Sequence, residues 1–207
     1  MRNKSNNNNM AAVILAAGLS SRMKENKLLM LWNGVSIIEW VVSRLLEARI
    51  KQIVVVTGRE KEKIEALTNF PGVDHVFNKN FADGEMLHSL QRGLEGLSNN
   101  IHAALVVLGD QPQVEVKTIL NVVDAYNIET DSKLVLPSFQ NKRGHPWIVA
   151  RELWQEILEM KPPDNLRLFM NRHSADIHYV PVETDSILSD IDTQQDYRNS
   201  VKTRSGN

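Results

Sequence analysis

The 207-residue sequence has no cysteine. That excludes disulfides, zinc–thiolate sites, thiolate-held iron–sulfur clusters and a cysteine nucleophile. It fits a reducing compartment, as it also fits those secreted proteins that do without cysteine, and a cytoplasmic location is expected. No apolar run approaches the roughly 20 residues that span a bilayer, so no membrane attachment is expected. The opening segment, MRNKSNNNN (1–9), lacks the apolar stretch of a signal peptide. It is polar and asparagine-rich, and is predicted to be a disordered extension. The segment 202–207 is expected to be a flexible tail. Net charge is also nearly missing: 24 Lys and Arg against 25 Asp and Glu give −1. No global basic field then points to nucleic acid, and any polyanionic ligand must be met by a local cluster of cations.

What is present is enough for one α/β domain over residues 10–201, with 42% hydrophobic residues to fill a large core. AAVILAA (11–17) is a continuous apolar run that ends at Gly18, the pattern of a strand buried on both faces. Residues 53–58 and 103–110 repeat that pattern, and weaker strands are predicted at 75–78, 134–139, 145–150, 177–182 and 186–192. Helical spacing of apolar residues predicts helices over 36–48, 61–67, 86–97, 114–126, 151–160 and 165–173, with a last helix starting near Thr193. Alternation of buried strands with helices predicts a three-layer fold: a mostly parallel twisted sheet with helices on both faces. Ligands in such folds bind beyond the carboxyl ends of the strands. That rule selects five loops: 17–27, 78–86, 109–113, 139–146 and 189–193.

The first loop, AGLSSRMKENK (17–27), carries a glycine, two serines and three cations just after a strand. Glycine lets backbone N–H groups approach a phosphate, Ser20 and Ser21 offer hydroxyl donors, Arg22 a planar fork and Lys27 a mobile point charge. An ordinary strand-to-helix loop with a solvated charge run has the same composition. Neither the Walker A pattern nor the G-x-G-x-x-G dinucleotide pattern is present. The second loop, LGDQP (108–112), delivers Asp110 to the sheet edge, where a carboxylate can hold Mg²⁺, or simply end a strand or cap the next helix. In the third, SDIDT (189–193), residues two apart share a face if the segment is extended. Asp190 and Asp192 then point one way and Ile191 the other; both acids are equally suited to a solvated helix start.

Residues 13–29, VILAAGLSSRMKENKLL, resemble the signature loop of the molybdenum cofactor nucleotidyltransferase family, L-A-A-G-x-S-x-R-M-G-x-x-K, departing from it at Lys24. The wider group includes sugar-phosphate and methylerythritol-phosphate nucleotidyltransferases. LGDQP is similar to the family's G-D-[QM]-P, and DIDTQQDY (190–197) to its D-I-D-T-P-E-D-[YL]. EMLHSLQRGL (85–94) resembles G-M-x-S-S-[LV]-x-x-G-L with Glu85 where glycine is usual, and RGHP (143–146) carries the G-H-P element. PDNLR (163–167) stands where relatives have D-x-G-A-R.

The resemblance implies a Rossmann-like nucleotide-diphospho-sugar transferase fold. It implies that Leu15, Ala16, Ala17 and Gly18 hold base and ribose, with Ser20, Ser21 and Ser89 also on the nucleotide, and that Arg22 and Lys27 bind the triphosphate. Asp110 and Asp192 are implied as ligands of Mg²⁺, with Arg22, Lys27, Asp110 and Asp192 as the catalytic set. His145, Arg167 and Asp190 would face the acceptor. Ala17 is what the cytidylyl branch carries, where the guanylyl branch reads L-A-G-G, so CTP is favoured over GTP. The implied acceptor is of the molybdopterin type, and a molybdenum hydroxylase apoenzyme is the implied protein partner.

Overall fold

A computed structural model of the chain describes residues 9–19, 23, 25–83, 86–128 and 132–204. The disordered extension expected over 1–9 falls, apart from Asn9, outside the described residues, as do the last three residues of the expected tail.

The strands predicted to be buried on both faces form the centre of the sheet. β1 (Met10–Ala16) lies between β4 (Gln52–Thr57) and β6 (Ala103–Leu108), parallel to both. β5 (Val73–Phe77) continues the sheet beyond β4. On the other side the order is β6, β9 (Trp147–Ala150), β7 (Leu134–Phe139) and β10 (Ile177–Pro181). β10 is parallel to β7, while β9 runs antiparallel to both its neighbours. A two-residue strand, β8 (Lys142–Arg143), pairs with the end of β7. The mostly parallel sheet is as expected. The reversed strand is the departure, and its cause is the short return after β7, since a parallel strand needs a crossover of a dozen or more residues.

Alternation along the strands divides the core into two layers. Met10, Ala12, Ile14 and Ala16 of β1 pack with α1 (Ile37–Glu47) and α4 (Val116–Ile128). Ala11 and Val13 face α3 (Met86–Glu95), α5 (Trp154–Glu159) and α6 (Leu166–Arg172). Each large side chain buried fully contributes about 1.5–3 kcal/mol, so helices on both faces are the dominant stabilising arrangement for such strands. α1 starts where it does because Ser36 and Glu39 cap each other: the hydroxyl accepts from Glu39 N at 3.3 Å and the carboxylate accepts from Ser36 N at 3.0 Å.

Two local features differ from expectation. Leu31–Trp32 (β2) and Val35–Ser36 (β3) form a small hairpin, turning at Asn33 (φ 52°) and Gly34 (φ 89°). Asn-Gly supplies the two positive φ angles that such a turn demands. The strand predicted at 186–192 is instead a 3₁₀ turn, Asp185–Leu188, followed by extended chain. Thr184 begins that turn by accepting from Ser186 N at 3.2 Å, which removes that amide from strand pairing. α2 (Lys61–Leu67) is short as expected, and α7 (Gln194–Arg204) is the closing helix.

Far from the loops selected above, His173 joins α6 to α5 and to the turn before β10. Its Nε2 lies 2.6 Å from Glu156 and its Nδ1 3.0 Å from Asp176. Burial lowers the imidazole pKa, but the bonds to Asp176 and Glu156 outweigh it and the net shift is upward. A raised pKa means that protonation favours the folded state, so this stabilisation is complete below the ordinary histidine value and is lost as pH rises through the folded value. The melting temperature of the wild type should therefore exceed that of His173→Gln at pH 5.5, and the gap should narrow by pH 8.5.

Candidate active site

The carboxyl ends of β1, β4 and β6 lie side by side because the three strands are parallel and nearly in register, Leu15 opposite both Val56 and Leu108. The loops that leave them therefore meet. Gly109 N donates to Leu15 O at 3.1 Å, pinning the second loop to the first. Trp40 of α1 holds the exit of the second loop by donating from Nε1 to Pro112 O at 2.9 Å.

On this edge the structure brings together three of the expected residues. Lys27 opens a 3₁₀ turn, Lys27–Leu29, that Asn26 caps by accepting from Leu28 N at 3.1 Å. Its Nζ lies 2.5 Å from Asp110 Oδ2 and 3.0 Å from Asp192 Oδ1. The lysine side chain is only 12% exposed, whereas that of Asp192 is 45% exposed, so the cluster is walled on the protein side and open on the other. Burial alone would lower the Lys27 pKa; the charges and hydrogen bonds of Asp110 and Asp192 reverse this and raise it, so the ammonium stays charged.

The 189–193 segment reaches the cluster by anchoring Ile191, 1% exposed, in the core beside α1 and α4. Ile191 N donates to Asp110 O at 3.3 Å. Asp190 accepts from Gln111 Nε2 at 2.6 Å. Its carboxyl is held above its ordinary value by burial and by the charge on Asp110. Gln113 adds bonds to Ser189 O and, at 3.3 Å, to Ser186 O. Thr193 then caps α7, exchanging bonds with Asp196 at 2.8 and 3.1 Å.

The residues expected to meet the nucleotide at this edge are mostly small. Ala16 and Ala17 are buried, Leu15 half-buried and Gly18 exposed. A Cβ at Gly18 would touch none of the described residues, and its φ is not positive, so no turn there demands a glycine. Ser89 is buried on α3 and accepts from Asn78 Nδ2 at 3.1 Å. Ser20, Ser21 and Arg22, like Lys24 and Glu85, lie outside the described residues.

The acceptor-side expectations separate. Gly144 is pressed against the turn that leads to the acids: a Cβ there would lie 2.1 Å from Ile187 O. His145 N donates to that same oxygen at 3.1 Å. Burial pushes the His145 imidazole down to about 4, which favours the neutral ring near pH 7. Its Nε2 is enclosed without a partner among the described residues. Arg167 is exposed on α6. Gly144→Ala is expected to lose about 1–3 kcal/mol of stability, the usual range for forcing atoms into a packed site. It should also slow turnover by displacing the 187–192 segment. Urea unfolding and a turnover assay on one preparation check both.

Gln111, Gln113 and Asn78 are site residues that motif reading passed over. All three sit inside selected loops, but a neutral amide carries no charge signal, and only its partners show what it does.

Two carboxylates converging on one point, with an open side, suit Mg²⁺, which keeps several waters and takes one or two carboxylates beside phosphate oxygens. Among the described residues no group of three or more His, Asp or Glu forms an all-protein cage. Those residues also contain no helix long and apolar enough to cross a membrane.

Known proteins share this fold and match most of this chain. The chain is similar to the molybdenum cofactor cytidylyltransferase of Escherichia coli (strain K12), 27% identical over 188 residues, covering 89% of this chain and 92% of the relative. It is 31% identical over 160 residues to the bifunctional protein GlmU of Clostridium kluyveri, where 75% of this chain matches only 34% of the relative. A Mycobacterium tuberculosis H37Rv protein, solved in complex with manganese, shares the fold with a TM-score of 0.77 at 22% identity, over 94% of this chain and 98% of that one. Residues 12–177 match the MobA-like NTP transferase domain, and with the lysine and two aspartates gathered at the strand ends the chain belongs to that family of nucleotidyltransferases.

Proposed function

We propose that this enzyme transfers CMP from CTP to the terminal phosphate of a molybdopterin-type acceptor and releases pyrophosphate. The observation that carries the reading is the convergence of Lys27, Asp110 and Asp192 at the carboxyl edge of the sheet. An oxygen of the acceptor phosphate attacks the α-phosphorus of CTP. The new O–P bond forms as the bond to the β-phosphate bridging oxygen breaks, and pyrophosphate leaves with that electron pair. The acceptor phosphate is already ionised at neutral pH, so no protein nucleophile or general base is needed.

The residues act by position and charge. Lys27 balances charge that develops on the α-phosphate, and Arg22, on the same loop, is assigned the triphosphate by its place in the motif. Asp110 and Asp192 would hold Mg²⁺, which supplies neutralisation of the phosphate charges. Ala16, Ala17 and Gly18 take the base and ribose, and Ala17 supports CTP over GTP. His145 and Asp190 face the acceptor. Arg167, exposed on α6, gains no support for that role. A molybdenum hydroxylase apoenzyme is the partner to which the product would pass.

A second acceptor class, a sugar or alcohol phosphate, is favoured by one observation: the DNLR segment lacks the family's glycine–alanine pair, and its arginine is exposed on α6. Purified protein with α-labelled CTP, Mg²⁺ and each acceptor in turn tests both readings. Pyrophosphate release and a labelled product with molybdopterin alone are expected. Product with a sugar phosphate but not with molybdopterin overturns the first reading, and faster turnover with GTP overturns the choice of base.

A further inference from the structure

Lys27 has contacts in this structure that phosphoryl chemistry does not require. Asp110 and Asp192, from segments far apart in the chain, aim their carboxylates at one point, and the point is occupied by the Lys27 ammonium at 2.5 and 3.0 Å. The ammonium reaches across 165 residues of sequence to Asp192 and is nearly closed off from water. Two carboxylates held this close repel, more strongly as water is excluded, and a cation between them removes the repulsion. A lysine ammonium is a compact charge on a flexible four-carbon stem, suited to fill such a seat and also to leave it.

We infer that Lys27 is an internal stand-in for the divalent ion: its ammonium fills the seat between Asp110 and Asp192 until a polyphosphate draws it away, so the metal enters with the nucleotide and not before it. The ion and the ammonium cannot share the seat, because a divalent cation ligated by both carboxylates would stand against a third positive charge at hydrogen-bond distance. The first loop offers the ammonium another position. That loop carries Lys27 itself and is the one to which the proposed function assigns the triphosphate. A triphosphate there presents several negative charges to Lys27 and needs the metal for its own neutralisation, so one arrival releases the seat and recruits its next occupant. Asn26 keeps the lysine at the rim in both states, since its side chain caps the Lys27–Leu29 turn and reaches Arg59 O at 3.5 Å.

The inference rests on the assignment of Asp110 and Asp192 as metal ligands, and the experiment separates the two. Mn²⁺ binding to the full chain without nucleotide is measured by the electron paramagnetic resonance of the free ion. Wild type is expected to bind weakly, and Lys27→Met at least about tenfold more tightly, a gain of about 1.4 kcal/mol. Lys27→Gln, which still donates hydrogen bonds to both carboxylates and so protects the fold, should show a gain in the same direction. Mn²⁺ should also raise the melting temperature of both variants more than that of the wild type. Equal Mn²⁺ affinity in wild type and both variants overturns the stand-in role. The double variant Lys27→Met/Asp110→Asn should lose the gained affinity. If it binds as tightly as the single variant, the ion lies elsewhere and the metal-site assignment itself falls.

Discussion

Asp110→Asn is expected to lower kcat by on the order of 10³-fold or more, with the fold intact. Asparagine has the size of aspartate and keeps one oxygen, so the backbone bonds of the loop, Gly109 N to Leu15 O and Ile191 N to Asp110 O, are untouched. What disappears is a negative charge at the point where Lys27 and Asp192 also meet. Loss of a preorganised charged group aimed at a reacting phosphate costs about 10²–10³ in rate, and loss of a metal ligand adds to that. The substitution also relieves Asp190, whose carboxyl is held high by burial and by the Asp110 charge. Stability should therefore change little: a melting temperature within about 4 °C of wild type corresponds to roughly 1 kcal/mol in a chain of this size. Steady-state turnover and a thermal melt decide it. Wild-type turnover in a folded Asp110→Asn protein removes the acid from the mechanism.

Lys27→Met should lower kcat by on the order of 10²–10³-fold, with a smaller change in KM. The ammonium contributes most where charge develops, at the α-phosphate in the transition state. Arginine should rescue poorly, because a planar guanidinium is larger and directs its donors differently from a point charge seated between two carboxylates. The wild-type rate should show no alkaline loss attributable to this lysine near neutral pH, since its pKa is raised: burial works against the charge, but Asp110 and Asp192 more than compensate. Its share of stability is present below the ordinary lysine range and lost only as pH climbs through the raised value. One variant thus loses turnover while gaining metal affinity, two effects of opposite sign that a merely damaged site would not produce.

Much of this was legible in the chain itself. The three central strands are uninterrupted apolar runs, and full burial on both faces follows from that pattern. Lys27 and Asp110 sit in loops that the strand-end rule selects, and the motifs naming them agree in residue type and spacing. The β2–β3 hairpin was signalled by Asn33-Gly34 but lies among apolar residues too short to read as strands. The 3₁₀ turn at Asp185–Leu188 was hidden because its apolar residues, Ile187 and Leu188, also suit a strand; the Thr184 cap decided otherwise.

By itself the sequence determined the layers, since a strand apolar on every residue must be covered on both sides, and it determined the chemistry available at the sheet edge: an ammonium, three carboxylates and a glycine. Tertiary structure alone decided that Lys27 rests between Asp110 and Asp192, that Gln111 holds Asp190, and that burial favours a neutral His145. Those facts depend on distances between residues far apart in the chain and on exclusion of water, and neither is a property of any local run of residues.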